Sequence, residues 1–161
     1  MAPITTNVQG VPPGPYRDAM ELAPGLLAEL RVVVSEADTA IAAGSGDVPV
    51  LATPRLLALA EAASVAAIEP QLAADMTSVG TAASLEHRRA SPVGAEIVVE
   101  AELTEVAGRR LVFSFIVRHS PAGNGGDGGP DAGEDLVVGA GTLERVVVDR
   151  EKFLARLVSP A

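Results

Sequence analysis

Cysteine is absent from this chain of 161 residues, and histidine occurs only twice, as His87 and His119. Without cysteine there can be no disulfide framework, no thiolate nucleophile and no cysteine-ligated metal site. Two histidines are too few for a histidine-rich cluster of the kind that holds zinc. We therefore predict no metal site, and we expect the protein to use no cofactor.

Aromatic residues are scarce, at 2% of the sequence, and basic residues are outnumbered, with 12 Lys and Arg against 21 Asp and Glu. Since 48% of the residues are hydrophobic, the core must be packed with small aliphatic side chains. The formal net charge of −9 argues against nucleic acids and anionic membranes as partners, because both require a basic surface. A small phosphorylated ligand stays possible, since it needs only a few local cations.

Long apolar runs are also missing. No stretch of about 18 uninterrupted apolar residues occurs, so no membrane span is expected. The opening residues MAPITTNVQG do not have the pattern of a signal peptide, and the expected location is the cytoplasm. Five prolines in residues 1–25 preclude regular structure over most of that segment. We predict a Pro-rich N-terminal arm over residues 1–25, either extended or poorly ordered, and a single domain over residues 26–161.

Residues 52–72, ATPRLLALAEAASVAAIEPQL, predict a long buried helix. Thr53 can cap its first turn, and Pro54 is tolerated at the first helical position because its missing N–H needs no partner there. The stretch is apolar on most sides, which is typical of a buried helix, yet Glu61 lies in its middle. A buried carboxylate is costly unless it is paired. Glu61 is therefore either held by a structural partner such as an arginine or serves as a functional group.

Strands are predicted on both sides of this helix. Residues 27–36 are rich in β-branched side chains and predict the first strand. Residues 77–89 predict the next, and their alternation places one set of side chains against the helix: Val79, Thr81, Ala83, Leu85 and His87. Residues 95–106 and 109–119 predict a hairpin, with these side chains facing inward: Ile97, Val99, Ala101, Leu103, Leu111, Phe113, Phe115 and Val117.

The C-terminal part predicts a last strand over residues 135–149 and a short helix over residues 150–157, capped by Asp149. Gly139 and Gly141 in that strand indicate a bulge or a close backbone approach, not a dinucleotide site, because no helix N-terminus follows them. Residues 120–134 predict a disordered glycine-rich loop, and residues 37–50 either a plain connection or a lid. The order of elements predicts an α+β fold, with an antiparallel sheet wrapped around one central helix.

Short motifs lie in a consistent order over residues 27–157: LATP (51–54) with LAE (59–61), VGT (79–81) with His87, ASPVG (90–94), VAGRRL (106–111), GAGT (139–142) with ER (144–145), and VDREKF (148–153). Their order and spacing resemble those of hotdog-fold thioesterases, and most closely the fluoroacetyl-CoA thioesterase-like family. This resemblance implies a hotdog fold, hydrolysis of acyl-CoA thioesters and a homodimer whose sheets join edge to edge, with the sites at the interface. It also implies that Thr53, Glu61 and His87 are catalytic and that Gly80 lies against the acyl group.

The chain departs from that family in three places. The fluoroacetate-specific member has aromatic lid residues ahead of the threonine, whereas residues 37–52 contain none, which argues against fluoroacetyl selectivity. Many members have a histidine where this chain has Leu143. Residues 123–133 resemble an insertion.

Each candidate residue has a plain structural alternative: Thr53 as a helix cap only, Glu61 as half of an ion pair, and His87 as a core or edge histidine. In the functional alternative, Glu61 activates water or attacks the thioester directly, and His87 assists proton transfer or polarises the thioester. Backbone N–H groups at the helix N-terminus suit the developing oxyanion. The predicted cations for the phosphates of coenzyme A are Arg55 and Arg88, each of which is otherwise a solvated surface charge.

We therefore predict an acyl-CoA thioesterase acting on a small or medium acyl group. The alternative is a catalytically idle hotdog dimer that binds an acyl-CoA or another apolar ligand. A hotdog hydratase or dehydratase is less well supported, because the Asp/His motif of those enzymes is not found here.

Overall fold

The computed structural model describes residues 5–9, 22–120 and 136–158. The strands are β1 (Thr5–Gln9), β2 (Leu27–Val33), β3 (Met76–His87), β4 (Glu96–Ala107), β5 (Arg110–His119) and β6 (Val137–Asp149). The helices are α1 (Ala40–Ala43), α2 (Thr53–Ile68) and α3 (Arg150–Val158), with 3-10 turns at Glu36–Asp38 and Glu69–Gln71. The predicted glycine-rich loop, apart from Ser120, and most of the predicted N-terminal arm lie outside the described residues.

The six strands form one antiparallel sheet in the order β1-β2-β4-β5-β6-β3. The helix α2 packs against this sheet, mainly over β2 and β4, which confirms the predicted α+β architecture. Strand β1 was not predicted, because prolines dominate its surroundings in the sequence. It forms because residues 5–9 contain no proline and can pair with β2, from Thr5 opposite Arg31 to Gln9 opposite Leu27.

The core lies between α2 and the concave face of the sheet. The side chains of Leu56, Leu59, Ala63 and Ile68 are at most 1% exposed, so they form the buried face of the helix. The eight inward side chains predicted for the β4–β5 hairpin are all at most 4% exposed, which confirms that prediction. Each fully buried Leu or Phe of this kind contributes roughly 1.5–3 kcal/mol to stability. Because α2 lies mainly over β2 and β4, strand β3 at the sheet edge has little helix above it.

The facing predicted for β3 is right over its second half and wrong over its first. Leu85 packs against the core, as predicted, but Gly80 pairs with Arg145 while Ala82 pairs with Glu144, so that Thr81 is an extra residue. Such a β-bulge interrupts the alternation of a strand. Before the bulge the even-numbered residues share the face of buried Arg145 and Val147, and Val79 therefore lies on the opposite face.

The close approach predicted at the two glycines of β6 is confirmed. A Cβ atom at Gly139 would lie 2.8 Å from the carbonyl oxygen of Glu86, and one at Gly141 would overlap the carbonyl oxygen of Ser84. The backbone of β3 therefore lies directly against these positions, and only residues without a side chain fit there.

The C-terminal helix begins as predicted, because the carboxylate of Asp149 accepts a hydrogen bond from the backbone N–H of Lys152 at 2.9 Å. The first predicted strand ends at Val33 instead of residue 36, because Ser35 and the Glu36–Asp38 turn start a new structure. Among the helices in the described part of the chain, none is long and apolar enough to cross a membrane.

Candidate functional site

The first pair of candidate residues lies where α2 begins. The N-cap residue of α2 is Ala52, without a side-chain cap, so the prediction that Thr53 caps the helix is wrong. The hydroxyl Oγ1 of Thr53 instead lies 2.8 Å from Nδ1 of His87, across 34 residues of sequence. A tertiary contact with the strand has therefore replaced the local cap. The first turn of α2 lies beside this pair, and the N–H groups of Thr53 and Arg55 in that turn have no partner within the helix.

His87 is half-buried at the end of β3. Burial lowers the pKa of His87 below its ordinary value of 6.5, and the backbone of Arg89 opposes this only in part. The Nε2 atom of His87 is buried and forms no hydrogen bond within the described ranges. At neutral pH the imidazole is therefore uncharged, and one of its nitrogens can accept a proton.

The second pair, which includes the candidate residue Glu61, lies further along α2. The carboxylate oxygen Oε2 of Glu61 accepts a hydrogen bond from Nη1 of Arg145 at 3.0 Å. Arg145 is only 6% exposed, and Ser78 holds it with its hydroxyl, 2.8 Å from Nε, and with its carbonyl oxygen, 3.0 Å from Nη2. The side chain of Glu61 remains 42% exposed. Glu61 thus has the arginine partner that one alternative required, while its carboxylate stays accessible to a ligand.

Gly80 forms one wall beside this carboxylate. A Cβ atom built at Gly80 would lie 2.8 Å from Oε2 of Glu61. An open cavity of about 260 Å³ adjoins the two residues. Its remaining lining is part apolar and part polar: Ala82, Ala83, Leu143, Thr81, Glu144 and Arg145. The position predicted to face the acyl group therefore lies next to the predicted catalytic carboxylate.

We expect Gly80→Ala to lower kcat by about tenfold to a hundredfold, because the new methyl group must displace the Glu61 carboxylate, and small misplacements of reacting groups are costly. The change should be measured as initial rates of thioester hydrolysis at saturating substrate. The matched control is Ala83→Gly in the same cavity wall, which removes a methyl group without touching Glu61 and should leave kcat within a few-fold. An unchanged kcat in Gly80→Ala would contradict a role for this close contact.

The predicted catalytic residues do not all meet within one chain. Glu61 follows Thr53 by eight residues of α2, which is about 12 Å along a helix axis. His87 follows Gly80 by seven residues of β3, which is roughly 20 Å along a strand. The structure therefore divides the predicted constellation into two half-sites, Thr53 with His87 and Glu61 with Gly80 and Arg145.

The two cations predicted to bind coenzyme A phosphates are both paired with carboxylates. Nε of Arg55 lies 2.6 Å from Oδ1 of Asp38, and Nη2 of Arg88 lies 2.6 Å from Oε2 of Glu86. The pair of Arg88 is exposed, whereas Asp38 is buried. A role for either arginine with phosphate stays a prediction.

Arg145 and Ser78 are the site residues that sequence reasoning missed. A signal for Arg145 was present, because it has the same parity in β6 as the buried Leu143 and Val147, which makes it an inward-facing arginine. The alternation pattern of β3 did not indicate Ser78. It placed Ser78 on the outer face, whereas the bulge at Thr81 turns the residues before it to the other side. No cluster of three or more metal-binding side chains occurs in the parts of the chain that the structure describes.

Comparisons with known proteins identify close similarities. A sequence model of the fluoroacetyl-CoA-specific thioesterase family, FlK, matches residues 34–127. A fluoroacetyl-CoA thioesterase from Streptantibioticus cattleyicolor is 36% identical over 108 residues, which are 67% of this chain and 68% of that protein. A solved structure of FlK is 29% identical with a TM-score of 0.72, covering 86% of this chain and 98% of that one.

A threonine-to-serine mutant of FlK in complex with acetyl-CoA is 30% identical with a TM-score of 0.71, covering 86% of this chain and all (100%) of that one. A hot-dog-like protein from Thermanaerovibrio acidaminovorans is 21% identical with a TM-score of 0.68, covering 83% of this chain and 89% of that one. This similarity concerns the fold alone. These similarities confirm the predicted hotdog fold.

Proposed function

Because this chain belongs to the fluoroacetyl-CoA-specific thioesterase family, we propose that it hydrolyses the thioester of a small or medium acyl-CoA, at sites formed between two copies of the chain. The protein is thus a thioester hydrolase. The observation that carries the proposed site is the bond between Thr53 and His87, formed across 34 residues beside the free N-terminus of α2. The proposed location is the cytoplasm.

Glu61 is the proposed catalytic base or nucleophile. Arg145 fixes one of its oxygens, which orients the carboxylate while the other oxygen stays available. In one route Glu61 takes a proton from water, which attacks the thioester carbon. In the other it attacks that carbon itself, and the resulting mixed anhydride is hydrolysed. In both routes the bond from carbonyl carbon to sulfur breaks, and the thiol of coenzyme A leaves.

Thr53 and His87 are the proposed proton-handling pair. The neutral imidazole accepts a proton or polarises the thioester, and the hydroxyl of Thr53 orients the ring through Nδ1. The N–H groups that open α2 are the proposed donors to the oxyanion. Gly80 is the proposed contact for the acyl group, and Arg88 is the proposed cation for the phosphates.

A homodimer is proposed because β3 is a long edge strand. No described strand pairs with its outer edge, and residues 80–84 are exposed and mostly small. An edge of this kind readily pairs with another strand. In a two-fold dimer the same edge is used by both copies, so that two β3 strands run antiparallel and the two sheets become continuous.

One register of such a dimer joins the half-sites. With the two-fold axis at Ser84, Leu85 lies opposite Ala83 of the partner subunit. Beyond the extra residue Thr81, His87 then lies opposite the partner's Gly80, and both residues are on the helix side of the sheet. Since Gly80 adjoins Glu61, this register supports sites in which Thr53 and His87 of one copy face Glu61 of the partner subunit.

The proposed enzyme is not selective for fluoroacetyl, in keeping with the absence of aromatic residues from positions 37–52. The open cavity beside Glu61, of about 260 Å³ and partly lined by Ala82, Ala83 and Leu143, supports a small or medium acyl chain. Release of free thiol from a panel of acyl-CoAs, acetyl to octanoyl with fluoroacetyl included, tests the function. If no thioester is cleaved while acyl-CoAs raise the thermal midpoint, the protein is a non-catalytic binder.

The pH dependence of hydrolysis should reflect His87. Because burial lowers the pKa of His87, we expect log kcat/KM to stay level from pH 8 to about 6.5 and to fall only at lower pH, as the imidazole becomes protonated. Rates should be measured with one substrate over pH 5 to 8. An acid limb that begins above the ordinary histidine pKa would contradict this expectation.

The free energy of unfolding of the protein should be measured as a control for the pH dependence of hydrolysis. Burial lowers the pKa of both His87 and His119, so the unfolded chain binds more protons than the folded one just below pH 6.5. The free energy of unfolding should therefore fall as pH drops below about 6.5. Urea unfolding at each pH separates this loss of stability from the loss of catalysis.

A further inference from the structure

A buried carboxylate outside the described site holds the chain ahead of α2. Asp38, at the end of the 3-10 turn, is only 7% exposed. Its Oδ2 atom accepts hydrogen bonds from the backbone N–H and the hydroxyl of Ser35, both at 2.8 Å, and its Oδ1 atom accepts one from Nε of Arg55 at 2.6 Å. Burial tends to raise the pKa of Asp38, but the bonds from Ser35 and Arg55 outweigh it and lower the pKa overall. The group is therefore an ionised, fully engaged anchor.

This anchor binds the chain on both sides of Thr53. The carbonyl oxygen of Asp38 accepts a hydrogen bond from the backbone N–H of Ala52 at 2.9 Å, one residue before Thr53. The carboxylate of Asp38 holds Arg55, two residues after Thr53. Further bonds tie the same segments together, with Thr39 bridged to Leu51. Asp38 thus holds the first turn of α2 through its bonds to Ala52 and Arg55, and we call this set of bonds the clamp.

The clamp replaces the cap that α2 lacks. Ala52 has no side chain that could satisfy the first N–H groups, and the hydroxyl of Thr53 is engaged with His87 instead. An uncapped helix end frays readily, since its first four N–H groups have no partner within the helix. The position of the Thr53 hydroxyl therefore depends on the bonds that Asp38 makes to its neighbours.

We infer that Asp38 and Arg55 are positioning residues, which fix the first turn of α2 so that the Thr53 hydroxyl meets His87. This inference rests on the proposed function of the Thr53–His87 pair. It assigns Arg55 to the clamp and away from the phosphates of coenzyme A. Catalysis at misplaced groups drops steeply, so loosening the clamp should lower kcat by about tenfold to a hundredfold without a matching rise in KM.

The kinetic test compares two substrates that carry the same acyl group, the acyl-CoA and the acyl-N-acetylcysteamine thioester, which has no phosphates. Asp38→Asn and Arg55→Gln should each lower kcat on both substrates, and the double variant should be no worse than the worse single one. Arg55→Lys, which keeps the charge, should recover part of the loss. Arg31→Gln is the matched control, since it also breaks an arginine–carboxylate pair, with Glu29 of the same strand β2, but lies outside the clamp; its kcat should not change.

The inference is overturned if Arg55→Gln raises KM for the acyl-CoA alone while Asp38→Asn has no effect, because Arg55 would then be a phosphate ligand. A second measurement does not depend on hydrolysis: the ring 15N shifts of His87. Asp38→Asn and Arg55→Gln should move them in the direction that Thr53→Val does, even if the wild-type protein cleaves no thioester. Unchanged shifts in both folded variants would contradict the clamp and leave the proposed function unaffected.

Discussion

Glu61→Gln should reduce kcat for acyl-CoA hydrolysis on the order of 10³-fold, because the amide can neither take a proton from water nor attack the thioester. Glutamine keeps the size of glutamate, so the packing against Gly80 persists, and its carbonyl oxygen can still accept the bond from Arg145. KM and the thermal midpoint should therefore stay close to wild-type values. Steady-state rates of thiol release at several substrate concentrations give both constants.

Glu69→Gln is the matched control for this change. It alters an exposed carboxylate in the turn that follows α2, away from Gly80 and Arg145, and should leave kcat unaltered. If Glu61→Gln kept a tenth or more of the wild-type kcat, Glu61 would be a structural partner of Arg145 and not the catalytic group.

Mixed dimers should recover activity that neither parent has. Glu61→Gln and His87→Ala are each expected to be almost inactive as homodimers. In a heterodimer, the copy carrying Glu61→Gln supplies intact Thr53 and His87, while the copy carrying His87→Ala supplies an intact Glu61. One of the two sites is then complete. Since equal mixing makes about half of the dimers mixed, with one working site of two, recovery should approach about a quarter of wild-type activity.

The control mixture combines Thr53→Val with His87→Ala. These residues belong to the same half-site, so every site of their heterodimer lacks one of them, and no recovery is expected. Recovery in this control, or its absence in the first mixture despite proven subunit exchange, would contradict the proposed division of the site. A wild-type protein that is monomeric at micromolar concentration would contradict it as well.

Much of the fold follows from patterns that local physics enforces. The β4–β5 hairpin was predictable because one covered face demands strict alternation, and its inward side chains are all buried. The helix α2 was predictable from Pro54 and the apolar run that follows it. The close backbone approach at Gly139 and Gly141 of β6 was predictable because two glycines so near each other are unfavourable inside a strand unless space for a side chain is missing.

The parts that could not be predicted depend on contacts between distant segments. The hydroxyl of Thr53 can either cap α2 or bond to His87. Which of the two it does depends on the position of β3, which no local pattern reveals. The bond between Arg145 and Glu61 spans 84 residues and was indicated only by parity. Strand β1 needs the exposed edge of β2, which no local pattern reveals.

The extra residue in β3 also has a consequence for how this strand can change. Gly80 and His87 are an odd number of positions apart, so in an uninterrupted strand they would point in opposite directions. Thr81 shifts the phase by one and puts both on the helix side. Adding one residue between Thr81 and His87, with the bulge kept, would turn one of the two half-sites away from the helix side while the strand still paired with β6. Deleting Thr81 would instead remove the bulge and leave both residues on the helix side, because they would then be six regular positions apart. The number of regular positions by which His87 follows Gly80 is therefore constrained to be even, whatever residues fill the segment.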